Sequence, residues 1–372
     1  MSKQVFAAAS ILIGTVIGAG ILGLPFVIMK SGFGIGIINL IIAAAIVMMA
    51  ELYLGEIGLR TKTKHHLTGY AEKYLGKKGK ILMFIAFAFG IYSALIAYLI
   101  GEGESFSFLF FQNTQHSLYF GIAFWLVVSV ITYFGISSLK KGEKIGTIAI
   151  FLLMILIVIL NWNKIDVNNL TYNNPGLFYF PFGVALFAML GLSTMPEVVR
   201  TLGNQKHLTK KTIIISYLTV LAIYIIFVLI VVGTKGVNTP HLATLALGKI
   251  FILLGVMTMS TSYLALTIAL VDTLHFDFNK SRKMSWIYTI SLPLIIFILL
   301  DSFQQASFIK VLGIGGVISG GFMGILILLM AKNAKRKGDR KPEYSIPYSE
   351  PLTWLIIAIL AIGTILELWH SF

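Results

Sequence analysis

The sequence predicts an all-α polytopic membrane protein of eleven transmembrane helices, built as a five-plus-five inverted repeat with broken helices 1 and 6, plus one extra helix. Three observations carry that prediction. The first is composition: of 372 residues, 57% are hydrophobic and 12% charged, with a mean hydropathy of +0.89. Folded in water, such a chain would expose far more apolar surface than a soluble protein tolerates, so its solvent is lipid. The second is where the charges fall. A net charge of +14 could indicate nucleic acid. Yet every Lys and Arg except Lys30, Lys164, Lys235, Lys249 and Lys310 lies in the connections on one side of the predicted spans. That is the positive-inside pattern, which places the N-terminus in the cytoplasm and the C-terminus outside, and leaves no nucleic-acid partner. The third is a pair of matching interruptions. Gly20 precedes Pro25 by five positions in the first span, and Gly191 precedes Pro196 by five in the sixth. Paired, interrupted apolar segments at corresponding places in two halves point to a binding site at mid-membrane.

Span 1 (5–29) contains the run Gly14-Thr15-Val16-Ile17-Gly18-Ala19-Gly20-Ile21-Leu22-Gly23-Leu24-Pro25. Each glycine inside a helix costs roughly 0.5–1 kcal/mol relative to alanine, and proline removes an N–H and crowds the preceding turn. In hydrocarbon, freed peptide groups persist only beside protein, ions or a water-filled cavity, so a break here implies something polar next to it. The run is too long for the core of a cleaved signal and is read as retained.

Span 2 (35–58) carries Glu51 about two turns from its inner end, where an ionisable group is by default a functional hypothesis, and Glu56 at the interface. Residues 67–76 read as a short amphipathic helix lying on the membrane surface or at the inner mouth. His65 and His66 beside it are adjacent and make a poor metal pair. Span 3 (81–103) places Tyr92 near mid-membrane, facing a site, with Tyr98, Glu102 and Glu104 further along. Span 4 (118–138), the basic turn 140–144 and span 5 (145–162) complete the first repeat. An Asn-rich outer loop, 163–179, leads to span 6 (180–201), which reads Phe187-Ala188-Met189-Leu190-Gly191-Leu192-Ser193-Thr194-Met195-Pro196-Glu197. Span 7 (212–233) is followed by an outer segment, 236–246, expected as a short lid helix. Span 8 (248–273) holds Thr258, Ser260, Thr261 and Ser262, denser in hydroxyls than bonding back to its own backbone requires, and Asp272 toward its inner end. Span 9 (284–300) and span 10 (306–331), whose Gly313, Gly316, Gly320 and Gly324 form a close-packing face, precede a basic loop and span 11 (352–369). The domain division is 1–162, 163–331 inverted, and 332–372.

The string GTVIGAGILGLPF, with SGFGIG after it, resembles the first membrane helix of the amino acid/auxin permease family, within the amino acid–polyamine–organocation superfamily and near its bacterial aromatic amino acid permease branch. Weaker likeness in helix count, first inner loop and sixth helix extends over most of the chain. The resemblance implies secondary carriage of amino acids by alternating access. Carried over by position, Gly18, Ala19 and Gly20 would hold the substrate through their backbone, with Phe187, Leu190 and Gly191 facing them. A sodium site like that of sodium-coupled members would take carbonyls from Gly14 and Ile17 and hydroxyls from Ser260 and Thr261, with Thr258 or Ser262 as ligand if the register differs. Span 5 has no lysine where some proton-coupled relatives place one, which favours sodium; the aromatic branch is largely considered proton-coupled, and Glu51, Glu197 or Asp272 could then carry the proton.

The residues argue in the same direction. The N-terminus of a half-helix near Gly20 and Ile21 favours a carboxylate, and the carbonyl ends near Val16, Ile17 and 187–190 favour an ammonium group or a bare cation. A zwitterionic α-amino acid supplies both charges. Without an acidic or basic residue at the breaks, a neutral, large apolar or aromatic amino acid is expected, with membrane lipid as the other partner and no cofactor beyond a possible sodium ion. No cysteine excludes disulfides and thiolate metal sites. The absence of HExxH, of a paired-aspartate motif and of Gly-x-Ser-x-Gly argues against an intramembrane enzyme, and a channel is the remaining alternative class.

Overall fold

Polar backbone in an apolar solvent must satisfy itself locally, and the chain does so almost wholly by helices. The computed structural model describes residues 3–63, 65–134, 152 and 154–371; the basic turn 140–144, the end of span 4 from 135 and most of span 5 before 154 lie outside them. The helices are α1 (Lys3–Val16), α2 (Gly20–Ser31), α3 (Phe33–Arg60), α4 (Leu67–Phe111), α5 (Ser117–Tyr133), α6 (Met154–Lys164), α7 (Phe182–Met189), α8 (Met195–Leu202), α9 (Thr209–Lys235), α10 (Lys249–Phe278), α11 (Arg282–Ser302), α12 (Phe308–Gly315), α13 (Gly321–Lys337) and α14 (Glu350–Ser371). Among the described residues the only extended pairing is an isolated antiparallel bridge between Gly32 and Asn173.

Seven helical stretches among those residues are long and apolar enough to cross a membrane, and α1 with α2 forms a further span bent by 57°. The shorter apolar helices Ser117–Tyr133 and Met154–Lys164 stand beside them. This is the all-helical, multi-span class expected, although these lengths do not by themselves fix a count of eleven. The lipid-facing flanks show in exposed apolar side chains such as Ile41, Leu126, Ile155, Leu253, Ile295 and Ile365. The opposite faces enclose Leu12, Leu24, Leu40, Tyr53, Tyr217, Tyr224 and Phe251, all at most 2% exposed.

Several elements differ from their expected form for local reasons. The amphipathic stretch and span 3 join in α4 across Gly76, whose φ of +79° only glycine adopts without strain. Leu67, Tyr70, Ala71 and Tyr74 of this stretch are buried against protein, as a helix at the inner mouth would be and one lying on the open membrane surface would not. The outer segment 236–246 forms two single turns, Gly236–Asn238 and Ala243–Leu245, rather than one lid helix. Span 10 is divided by a wide turn at Gly316–Gly320. That turn packs on α7 so closely that a methyl group on Gly316 would lie 2.0 Å from the Gly183 carbonyl, the backbone approach that small residues permit.

Candidate functional site

Span 1 loses its helical ladder between Val16 and Gly20. The Gly18 N–H donates to the Val16 carbonyl at 2.9 Å instead of reaching back one turn to Gly14, and neither the Gly14 nor the Ile17 carbonyl accepts a backbone hydrogen bond. Span 6 stops at Met189, turns through Leu190 in extended backbone (φ −68°, ψ 121°), and resumes at Met195 with Pro196 in its first turn, where a missing N–H is harmless. The two interruptions touch. A Cβ on Gly20 would lie 2.4 Å from the Ala188 Cα, and one on Gly191 would lie 2.7 Å from a Val16 methyl. Only glycine allows this approach.

A cavity of about 100 Å³ opens beside the paired breaks, lined by Gly18, Ala19, Gly20, Phe187 and Leu190 among others. Its remaining wall comes from Phe87, Gly90, Ile91, Ala94 and Tyr98 of α4, from Leu266 of α10, and from Ser319 and Met323. No Asp, Glu, Lys, Arg or His lines it. The Tyr98 hydroxyl is within hydrogen-bonding reach of the Ala19 backbone and the Ser262 side chain, and a Cβ on Gly18 would sit 3.4 Å from it. The first N–H groups of α2, at Gly20 and Ile21, have no preceding turn to bond to, and they lie at this break.

The predicted residues do not all gather here. Ile21 is buried in the packing and Gly191 lies against α1, neither lining the cavity. Tyr92 points to α11, where its hydroxyl donates to the Tyr288 carbonyl at 3.2 Å. Of the hydroxyl cluster, Ser260 donates to Glu102 Oε1 at 2.8 Å, Thr258 donates to the Leu254 carbonyl, and Thr261 donates to its own helix at Met257 and Thr258. Ser262 is the member nearest the break, 3.9 Å from where a Gly18 Cβ would be. Glu197 forms an exposed pair with Arg200 at 3.1 Å, and Asp272 is half-buried on α10. Glu51 is fully buried, and neither of its carboxyl oxygens has a hydrogen-bond partner.

Sequence reasoning missed the α9 side of the site. Tyr224, wholly buried, places its hydroxyl 2.8 Å from the Val16 carbonyl and 2.9 Å from that of Ala188, and Tyr217 donates to the Met189 carbonyl at 3.2 Å. Two polar-tipped residues seven apart in an apolar helix share a face, which is the signal that could have found them.

At the end of the bundle opposite the N-terminus, a separate cavity of about 420 Å³ is lined by Phe26, Glu104, Tyr179, Phe180, His241, Lys310 and Glu367 among others. His241 Nε2 meets Glu104 Oε2 at 2.9 Å, and that carboxylate holds the imidazole above its ordinary pKa. A group whose pKa is raised on folding stabilises the fold fully below its unfolded value, near 6.5, and loses that contribution as pH rises through the raised one. Amide exchange in segment 239–248 is therefore expected to quicken more between about pH 6 and pH 9 than base catalysis alone explains. His241→Gln should remove the excess, and an unchanged profile would exclude the pair as the tether.

A bent first span and an interrupted sixth span that meet beside a shared cavity define a polytopic, all-helical membrane protein. Sequence comparison then gives the family: the profile of the Tryptophan/tyrosine permease family matches residues 1–370, and the chain belongs to it. It is a transport protein of the amino acid permease class and not an enzyme, as the resemblance in span 1 implied. Glutamine transporter 2 of Aliivibrio fischeri (strain ATCC 700601 / ES114) is 25% identical, covering 91% of each chain. The Tryptophan-specific transport protein of Shigella flexneri is 22% identical over 100% of this chain and 96% of its own. The Tyrosine permease of Enterobacter agglomerans is 25% identical over 94% and 92%. The solved structure of MhsT in complex with L-phenylalanine superposes with a TM-score of 0.70 at 15% identity, covering 100% of this chain and 99% of that one, which establishes a shared fold.

Proposed function

We propose that this chain is a secondary carrier of neutral, large apolar or aromatic amino acids, working by alternating access between two inverted five-helix repeats (1–162 and 163–331), with residues 332–372 adding the eleventh span. The observation that carries the reading is the cavity at the paired breaks, whose lining is apolar and hydroxylic with no charged side chain. The α-carboxylate is held at the N-terminal amides of α2 beside Gly18, Ala19 and Gly20, and the ammonium by freed carbonyls, so a zwitterion is neutralised by peptide dipoles alone. Phe187, Leu190, Phe87, Ile91 and Met323 favour an apolar or aromatic side chain. The amino acids for which the relatives are named (tryptophan, tyrosine and glutamine) and the phenylalanine bound by the structural neighbour are all neutral.

Transport is driven by a cation gradient, with sodium favoured. The Gly14 and Ile17 carbonyls lack backbone donors and suit a small cation. Ser262, which lies at the break beside Gly18 and Tyr98, is the hydroxyl of the cluster proposed to complete such a site, whereas Ser260 bonds to Glu102 and Thr261 to its own helix. A proton is the second reading, favoured by the unpartnered buried carboxyl of Glu51. The basic end faces the cytoplasm and the C-terminus faces outside, following the charge asymmetry. Counterflow in liposomes with labelled tryptophan, tyrosine, phenylalanine and glutamine, with and without sodium and with a pH gradient, tests all of this. Saturable exchange of the aromatic members is expected, and sodium-accelerated uptake; exchange of none of the four would end the reading. Should Glu51 carry a proton, Glu51→Gln flattens the pH dependence of uptake, and a wild-type profile would exclude it.

A further inference from the structure

Two helices end at the breaks with their carbonyl termini turned toward one another. α1 stops at Val16 and α7 at Met189, and each such end carries a partial negative charge and freed acceptors. Like ends brought together in a dry interior repel unless a donor or cation lies between them. Here the Tyr224 hydroxyl, from the middle of α9, reaches the carbonyls of Val16 at 2.8 Å and Ala188 at 2.9 Å, one from each broken helix. The residue itself is 0% exposed. The hydroxyl has one hydrogen for two acceptors and alternates between them or bifurcates.

We infer that the Tyr224 hydroxyl is a built-in substitute for a bound cation, a positioning residue that joins the carbonyl ends of the two broken helices so that no ion is taken up between them. The inference rests on the carrier reading for its consequence. Whatever cation drives transport binds elsewhere, at the Gly14 and Ile17 carbonyls or at a carboxyl, and α1 and α7 move as one piece at this point. Tyr217 is the contrast. It serves the Met189 carbonyl of one break only, so it joins nothing.

The test compares wild type, Tyr224→Phe and Tyr217→Phe by tryptophan counterflow in liposomes, and by melting of the purified proteins without substrate, each in choline, sodium and lithium chloride. Removing the hydroxyl leaves two facing carbonyls, and exchange in choline should fall about tenfold or more. Sodium or lithium should restore part of it and should raise the melting temperature of Tyr224→Phe more than that of wild type. Tyr217→Phe should show no added salt response. Wild-type exchange by Tyr224→Phe in choline, or a loss with no gain in salt response by either readout, overturns the inference. Absence of wild-type exchange in all three salts would instead defeat the carrier reading, while the melting data still decide the role of Tyr224.

Discussion

Gly20→Leu should abolish amino acid uptake while the protein still inserts in the membrane, and even Gly20→Ala should reduce uptake on the order of a hundredfold. The reason is backbone contact. The first atom of any side chain at this position would lie 2.4 Å from the Ala188 Cα, 2.7 Å from its Cβ and 2.9 Å from its amide nitrogen. Real Cβ atoms do not approach backbone so closely, and no rotamer change relieves it. The α2 terminus must retreat from α7 by roughly 1 Å, a displacement that can cost ~10²-fold where reacting or binding groups must be held in register. Gly23 is the internal control. A Cβ there meets only side-chain tips at 3.2 Å, from Val184, Ile309 and Leu312, which can yield by a few tenths of an ångström. Uptake by Gly23→Ala should stay within a few-fold of wild type. Equal activity of Gly20→Ala and wild type would remove the break from the transport site.

How much of this was legible in sequence depends on what the residues announce by themselves. Glycine and proline in an apolar run mark a break because their cost is local, so both interruptions could be read directly. Facing is another matter. Helices surrounded by protein on one side and lipid on the other are apolar all round, and without a polar stripe there is no period from which to read orientation. In span 3 the sequence singled out Tyr92 by depth alone, yet Tyr92 donates to α11 and Tyr98 is the one that stands at the break. The cluster Thr258, Ser260, Thr261 and Ser262 spans most of a helix circumference, so the member that meets the break could not be chosen from spacing. Tyr217 and Tyr224 left a faint signal in their seven-residue interval, but their partners, carbonyls of other spans, have no sequence signature. Glu56 shows the limit most sharply. It reads as an ordinary end-of-helix carboxylate paired with Arg60 one turn on, and its other partners, Lys335, Ser345 and Ile346, stand 279 to 290 positions away.

Those partners make Glu56→Ala the second large expected effect. Glu56 Oε1 accepts from Arg60 Nε at 2.8 Å, Lys335 Nζ at 2.8 Å and Ser345 Oγ at 2.9 Å, and Oε2 accepts from the Ile346 backbone at 2.8 Å. Around this hub the connection between α13 and α14 is strapped across the end of α3. The Tyr344 hydroxyl donates to the Leu52 carbonyl, Tyr53 to that of Pro347, and the Asp339 amide to Arg60. The carboxylate is 3% exposed and its two cations 17% and 22%. Removing one member of a buried ionic cluster costs roughly 3–5 kcal/mol, because the charges left behind lose their partner; partial exposure of Arg60 and Lys335 puts this site at the lower end. Glu56→Ala should therefore melt several degrees below wild type. Glu56→Gln, which keeps one accepting oxygen but loses the charge and the second acceptor, should fall between. Because the chain contains no cysteine, Ser345→Cys gives a single labelling position. Its reaction with a maleimide should quicken when Glu56→Ala is added, as the strap lifts from α3. Unchanged melting together with unchanged labelling would show that the strap is held by its backbone contacts alone, with Glu56 a bystander.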